Sequence, residues 1–281
     1  MARLHSEEVI STDLNVPRLA ASSYLNSAPL LWSFSRGSRK GSVQLFDAVP
    51  AVCARRLRKA VVDVALVPVI EYQRINGGLI VPDVCVGSRA RVRSVVLVTR
   101  TNDLRGVKRI ALDQSSRTSA ALLKIIFHEF LGFEPKATPQ SPNLTKMLRD
   151  NDGALIIGDP AMTFSREDFQ VFDLASLWRQ YTGLGFVFAM WMIRTDSSAA
   201  ARRIDFAAAR DEGVAKTEEI IDHYEPLLGL SREELRTYLT DNISFSIDEE
   251  MQRGMELYFQ LAFKHGLISE LKQMMFAERI S

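Results

Sequence analysis

Between residues 18 and 194 short apolar runs alternate with stretches whose apolar positions recur every three to four residues. The runs at 18–22, 43–46, 62–67, 79–86, 94–99, 109–112, 154–157, 169–172 and 186–193 predict strands. The longer period predicts helices over 29–35, 51–59, 69–75, 119–131, 144–150 and 174–181. Strands that alternate with helices need crossover connections, so the pattern predicts an α/β protein with mixed, mostly parallel sheets. The tone changes after Thr195. Residues 199–279 are helical in character, with breaks at Pro226, Gly229 and 242–244. Ser231 followed three residues later by Glu234 fits a capping box that opens a new helix. These terminal helices are expected to cover a sheet face, without chemistry of their own.

Two polar, glycine-bearing connections break the alternating region: TNDLRG at 101–106 and TGLG at 182–185. As crossings between lobes they bracket an inserted unit. The organisation expected is a first lobe of residues 17–100 and 187–281, a second lobe of 101–186, and an N-terminal tail of 1–16. A ligand would sit in the cleft, and the crossings would serve as hinges.

Candidate chemistry gathers at four strand-to-helix joints, where open α/β sheets present helix N-termini to ligands. The joints are 24–29, 67–69, 113–119 and 157–161. Asn26 stands in the first, either as part of a helix cap or at the mouth of a site. The third holds four hydroxyl residues, Ser115, Ser116, Thr118 and Ser119, within five positions around Arg117. One hydroxyl would cap a helix, whereas four beside free N–H groups suit a carboxylate or phosphate. In the fourth, Asp159 before Pro160 has the form of an N-cap with proline at the first helical position. Ser94, at the entry to a strand, is either structural or a further ligand contact.

Composition then narrows the partners. The 281 residues carry 35 basic and 34 acidic side chains, a net charge of +1, so no broad field draws nucleic acid or an anionic membrane. The basic stretches at 36–40, 55–59 and 89–93 are expected on solvated surface. Cys53 and Cys85 are the only cysteines, too few for a disulfide framework or a zinc site. Reduced, buried thiols fit the cytoplasm. Residues 1–16 lack the apolar run of a secretory signal, and no later run is long enough to span a bilayer. The four histidines, His5, His128, His223 and His265, avoid the joints. Neither a GxSxG elbow, a phosphate-binding P-loop nor a GxGxxG fingerprint is present. The chain reads as a holder of a small anion that needs no cofactor and no metal.

YLNSAPL at 24–30, DVALVP at 63–68, SSRTS at 115–119, GDPA at 158–161 and WRQYTGLGFVFAMW at 178–191 together resemble the chorismate dehydratase family. That family opens the futalosine route to menaquinone. The likeness runs in order from residue 19 to 194, with Ala175 where the family usually has glycine and Gly185 where it usually has proline. It implies a two-lobe fold like type II periplasmic binding proteins, no cofactor, and loss of water from chorismate, a dianion, to give 3-[(1-carboxyvinyl)oxy]benzoate. By the same resemblance Asn26 contacts the C4 hydroxyl or the reacting carboxylate. Ser94 and Ser116, Arg117, Thr118 and Ser119 hold substrate carboxylates from the two lobes, and Asp159 is added to them as a substrate-binding candidate. The rival readings are a non-catalytic binding protein for a small carboxylate and the related 1,4-dihydroxy-6-naphthoate synthase, which relies on a histidine base.

Overall fold

In a computed structural model, which describes residues 16–279, the apolar runs assemble into two five-stranded sheets. The first sheet has the order β2-β1-β3-β10-β4. Its members are β1 (Arg18–Ala21), β2 (Gln44–Asp47), β3 (Val64–Pro68), β4 (Gly78–Ser88) and β10 (Phe186–Arg194). The second has the order β7-β6-β8-β5-β9. It contains β5 (Val95–Thr99), β6 (Arg109–Asp113), β7 (Lys136–Gln140), β8 (Gly153–Ile157) and β9 (Gln170–Asp173).

The sheets are mixed, as expected, and parallel pairing does not predominate. β1 pairs in parallel with β2 and β3, and β6 with β7 and β8. All four antiparallel pairings are made by β10 and β5. Each of these is the first strand laid down after the chain changes sheets, so it enters its sheet against the prevailing direction. Both are buried along nearly their whole length, which is why their sequences read as continuous apolar runs.

Strand β5 corrects the expected crossing. Because it belongs to the second sheet, the chain leaves the first lobe between β4 and β5, at residues 89–94, rather than at 101–106. Asp173 ties this crossing down: its carboxylate accepts the Val92 N–H at 3.1 Å and the Arg93 N–H at 2.6 Å. In the basic stretch here Arg89 and Arg91 are exposed, as expected, with Arg89 paired to Asp248, whereas Arg93 is half-buried and paired to Glu234. The return passes through residues 183–185 into β10.

Strand β7 is absent from the sequence reading. Its sequence, KATPQ, is polar and contains Pro139, which has no N–H to donate. Such a strand survives only at an edge, where β7 lies against β6. The helices of the alternating region are α1 (Ala28–Ser35), α2 (Pro50–Arg58), α3 (Arg117–Ile125), α4 (Leu144–Asp150), α5 (Pro160–Thr163) and α6 (Leu174–Thr182). The predicted helix at 69–75 is a short 3-10 segment, Val69–Gln73. The helix beginning with α3 passes into a π-helical turn at Ile126–Leu131.

The terminal helices are α7 (Ala199–Arg202), α8 (Phe206–Ala215), α9 (Thr217–Leu228), α10 (Arg232–Thr237) and α11 (Glu249–Lys264). Pro226 does not break α9 but lies inside its last turn, and the helix stops at Gly229 in a left-handed conformation. Here α8 packs against α1, and α11 against β10 and α3. Gly185 fits this packing, since a Cβ there would lie 2.7 Å from Met251 Cγ of α11. Trp178 and Trp191 are wholly buried in the core, as are both free cysteines. Burial pushes the Cys53 thiol up to about 12, so it is an apolar filler rather than a nucleophile. Among the described residues no helix is long and apolar enough to cross a membrane. The N-terminal tail and His5 lie outside the described residues, apart from Val16.

Candidate active site

The four joints follow β1, β3, β6 and β8, and residues from all of them line a single cleft between the sheets. Part of the lining is apolar, with Leu66, Val86, Val95 and Phe188. The polar part carries Asn26 from the first lobe and Ser116, Thr118 and Ser119 from the second.

Asn26 sits in a one-turn 3-10 helix, Leu25–Ser27, that links β1 to α1. The Ser27 hydroxyl donates to Asn26 Oδ1 at 3.1 Å, which leaves the Asn26 NH2 to donate into the cleft. Ser27 holds the N-cap position of α1 without making a side-chain cap bond, so capping does not account for this pair.

The hydroxyls around α3 divide into three roles. Buried Asp113 accepts both the Ser115 N–H, at 2.9 Å, and the Ser115 hydroxyl, at 2.6 Å, which fixes the turn out of β6. Burial pushes the Asp113 carboxyl above the usual range, and the Ser115 bonds offset part of that. Thr118 Oγ1 accepts the Ile70 N–H from the first lobe at 3.3 Å. Ser116, at the N-cap of α3, makes no side-chain cap bond. It lines the cleft with Ser119 beside the first N–H groups of the helix, which have no partners within it. An anionic group here meets hydroxyls, N–H donors and the positive end of the helix dipole together.

Arg117 lines the cleft, but its guanidinium is committed to Glu71, with Nη1 2.9 Å from Oε2. Glu71 is 1% exposed and also pairs with Arg74 at 3.1 Å. Arg117 is the single charged residue among the described residues that line the cleft, so charge on a bound anion would be met chiefly by neutral donors.

Two candidate residues stand one position behind the lining. Ser94 is fully buried beside Val95, and its hydroxyl pairs with that of Tyr238 at 2.7 Å. Its carbonyl accepts the Gly158 N–H at 2.8 Å. Asp159 follows the lining residue Gly158 and makes no cap bond to α5; its Oδ1 accepts the Leu25 N–H across the cleft at 3.0 Å. Burial pushes the Asp159 carboxyl up to about 6, partly offset by that bond.

Three tyrosines escaped the sequence reading as site residues. The Tyr24 ring lies on Gly158, where a Cβ would come within 2.7 Å of its Cδ2 and where φ is +66°. The Tyr258 hydroxyl donates to the Thr118 carbonyl at 3.0 Å, and Tyr238 meets Ser94 as described. The terminal helices therefore buttress the site from behind. Tyr238 and Tyr258 stand among apolar residues at helical spacing, a pattern that reads as core. Among the described residues no histidine lines the cleft, and no three His, Cys, Asp or Glu side chains gather to hold a metal ion.

Comparison with known proteins agrees with this architecture. Among solved structures, a protein of Archaeoglobus fulgidus superposes with a TM-score of 0.73 at 20% identity, over 90% of this chain and 99% of its own. The periplasmic aliphatic sulphonate binding protein SsuA of Escherichia coli superposes with a TM-score of 0.60 at 12% identity, over 95% and 94%. These likenesses establish a periplasmic-binding-protein-like fold. A chorismate dehydratase of Thermus thermophilus is 30% identical over 264 residues, 87% of this chain and 93% of that protein. The menaquinone biosynthesis family matches residues 17–264, which include both sheets and every joint of the cleft, and the chain belongs to that family.

Proposed function

We propose that this protein is a chorismate dehydratase, a hydro-lyase that removes one water from chorismate to leave 3-[(1-carboxyvinyl)oxy]benzoate. The observation that carries the reading is the pairing of uncapped donors across one cleft. Asn26 faces it from the first lobe, Ser116 and Ser119 face it from the second, and none of the three is spent on its own helix. Membership of the menaquinone biosynthesis family and the Thermus thermophilus relative support the same assignment.

The reaction suits such a site. The C3 hydrogen of chorismate lies γ to an unsaturated carboxylate, so its removal yields a delocalised dienolate. Hydroxide then leaves C4 and the ring becomes aromatic. The hydrogen leaves as a proton, and its electron pair enters the ring as the C4–O bond breaks. The enolpyruvyl carboxylate of the substrate is within its own molecule's reach of that proton, so no protein base is required. The protein's part is to hold a dianion in the reactive geometry and keep water out. The hydroxyls and N–H groups at α3 would take a carboxylate, the Asn26 NH2 would meet the C4 hydroxyl or the reacting carboxylate, and Phe188 and Leu66 would cover the ring. The working compartment we propose is the cytoplasm, in keeping with two buried, unpaired cysteines.

Incubation of the purified protein with chorismate, followed by mass spectrometry, tests the proposal. Loss of one water to an aromatic product is expected. Tight binding with no turnover would replace the dehydratase with a carboxylate-binding protein.

A further inference from the structure

The joint that carries Asn26 is held from two sides, and the halves differ in who holds them. Up to Ser23 it is anchored within its own lobe. Asp47 of β2 accepts the Ser23 N–H at 2.9 Å and the Ser23 hydroxyl at 3.0 Å, and the Tyr224 hydroxyl of α9 donates to the Ser23 carbonyl at 2.7 Å. At Tyr24 and Leu25 anchors from the opposite lobe are added. The Tyr24 ring rests on Gly158, and the Leu25 N–H donates to Asp159 Oδ1 at 3.0 Å.

Leu25 opens the 3-10 turn, so its N–H has no acceptor inside the turn, and Tyr24 at the N-cap supplies no side-chain bond. Asp159 takes the place of a cap, from 134 residues away and across the cleft. It is free to do so because its carboxylate makes no bond to α5, the helix it precedes. The next residue of the turn after Leu25 is Asn26.

We propose that Asp159 is a positioning residue through which the second lobe sets Asn26, so that lobe closure and assembly of the reactive geometry are one event. This rests on the dehydratase reading. The carboxylate acts on the Leu25 N–H and through it on Asn26, and substrate is not its ligand. In an open form the Leu25 N–H would face water and the turn would lose its remote cap. Bound substrate, by drawing the lobes together, would then complete the site only when both faces are filled.

The test compares Asp159→Ala, Asp159→Asn, Asn26→Ala and the double variant Asn26→Ala/Asp159→Ala, each checked for an unchanged melting temperature. Asp159→Ala is expected to lower kcat by roughly tenfold or more with KM changed much less, as small misplacements of a reacting group do. Asp159→Asn keeps an oxygen acceptor for the Leu25 N–H and is expected to recover most of that loss. The decisive readout is the double variant: a residue that works through Asn26 adds less than about twofold to the Asn26→Ala defect, because coupled residues are not additive. Independently of turnover, the Leu25 amide should exchange slowly with solvent in the wild type and in Asp159→Asn, and quickly in Asp159→Ala. Normal kcat in Asp159→Ala, or multiplicative losses in the double variant, would overturn the positioning role while leaving the dehydratase intact. A wild-type protein inert towards chorismate would overturn the dehydratase reading, and the catalytic role of Asp159 with it, even with the Leu25 amide protected.

Discussion

Helix caps in the terminal helices and at the cleft are built from the same residue types and put to opposite uses. Ser198, Asp205, Ser231 and Asp248 each accept an N–H from their own helix, and Ser231 completes its capping box with Glu234. Ser27, Ser116 and Asp159 occupy the corresponding positions at α1, α3 and α5 and make no side-chain cap bond. A residue that forgoes a cap gives up about 1 kcal/mol of helix stability. At the cleft that forgone bond leaves donors and acceptors directed at a ligand or at the opposite lobe. The difference between the two regions marks which polar side chains belong to the fold and which to the site.

Substitutions sharpen this contrast in order of expected effect. Asn26→Ala should leave the melting temperature unchanged and reduce turnover by roughly 100-fold, as the loss of positioning in the transition state does. Near-normal turnover would remove Asn26 from the mechanism. Ser116→Ala and Ser119→Ala should each weaken substrate binding by about tenfold, the value of one hydrogen bond to a charged group, without destabilising the protein. A fall in thermal stability with unchanged KM would show that these hydroxyls are structural after all. Ser231→Ala should do the reverse, costing about 1 kcal/mol of stability in denaturant unfolding with no change in kcat or KM.

The smallest effect concerns acidity. Asp159 has its carboxyl raised to about 6 by burial, with the Tyr24, Tyr224 and Tyr238 phenols around it. Between the ordinary carboxylate range and about 6, Asp159 is more fully protonated in the folded protein than in the unfolded chain. Its own contribution to stability should therefore fall as pH rises through that window and level off above it. Asp113, raised in the same direction, contributes with the same sign. Asp159→Asn removes that contribution, so the wild type should lose stability relative to the variant as pH rises through the window. A difference in denaturation midpoint that stays constant with pH would show that Asp159 is not the group responsible.

Much of this architecture was legible along the chain because burial on both faces writes itself as a continuous apolar run. β3, β5 and β8 were readable on that basis. β7 was not, because an edge strand needs neither an apolar face nor every N–H, and KATPQ has the composition of a loop. The joints were readable as chemistry because four hydroxyls exceed what one helix start can use. Their separate tasks were not. Ser115 serves Asp113, Thr118 accepts the Ile70 N–H while lining the cleft, and Ser116 and Ser119 line it with no such bond. Ser94 read as a possible ligand contact from its place at the entry to a strand and from the resemblance; in the structure its neighbour Val95 lines the cleft, and the serine turns the other way, towards Tyr238.

The sequence by itself determined the α/β class, the strands with two buried faces, the placement of polar residues at strand-to-helix joints and the membership of the family. The first three are local properties, set by side-chain periodicity and by what each residue does to its own backbone, whereas the family follows from the resemblance of ordered motifs. Only the tertiary structure decided that β5 belongs to the second sheet, that Arg117 is spent on Glu71, that tyrosines of the terminal helices stand behind the site, and that Asp159 caps a turn in the opposite lobe. Each of these joins residues far apart in the chain. Whether a polar group is free or already bonded depends on its partner in space, and nothing in its immediate sequence records that partner.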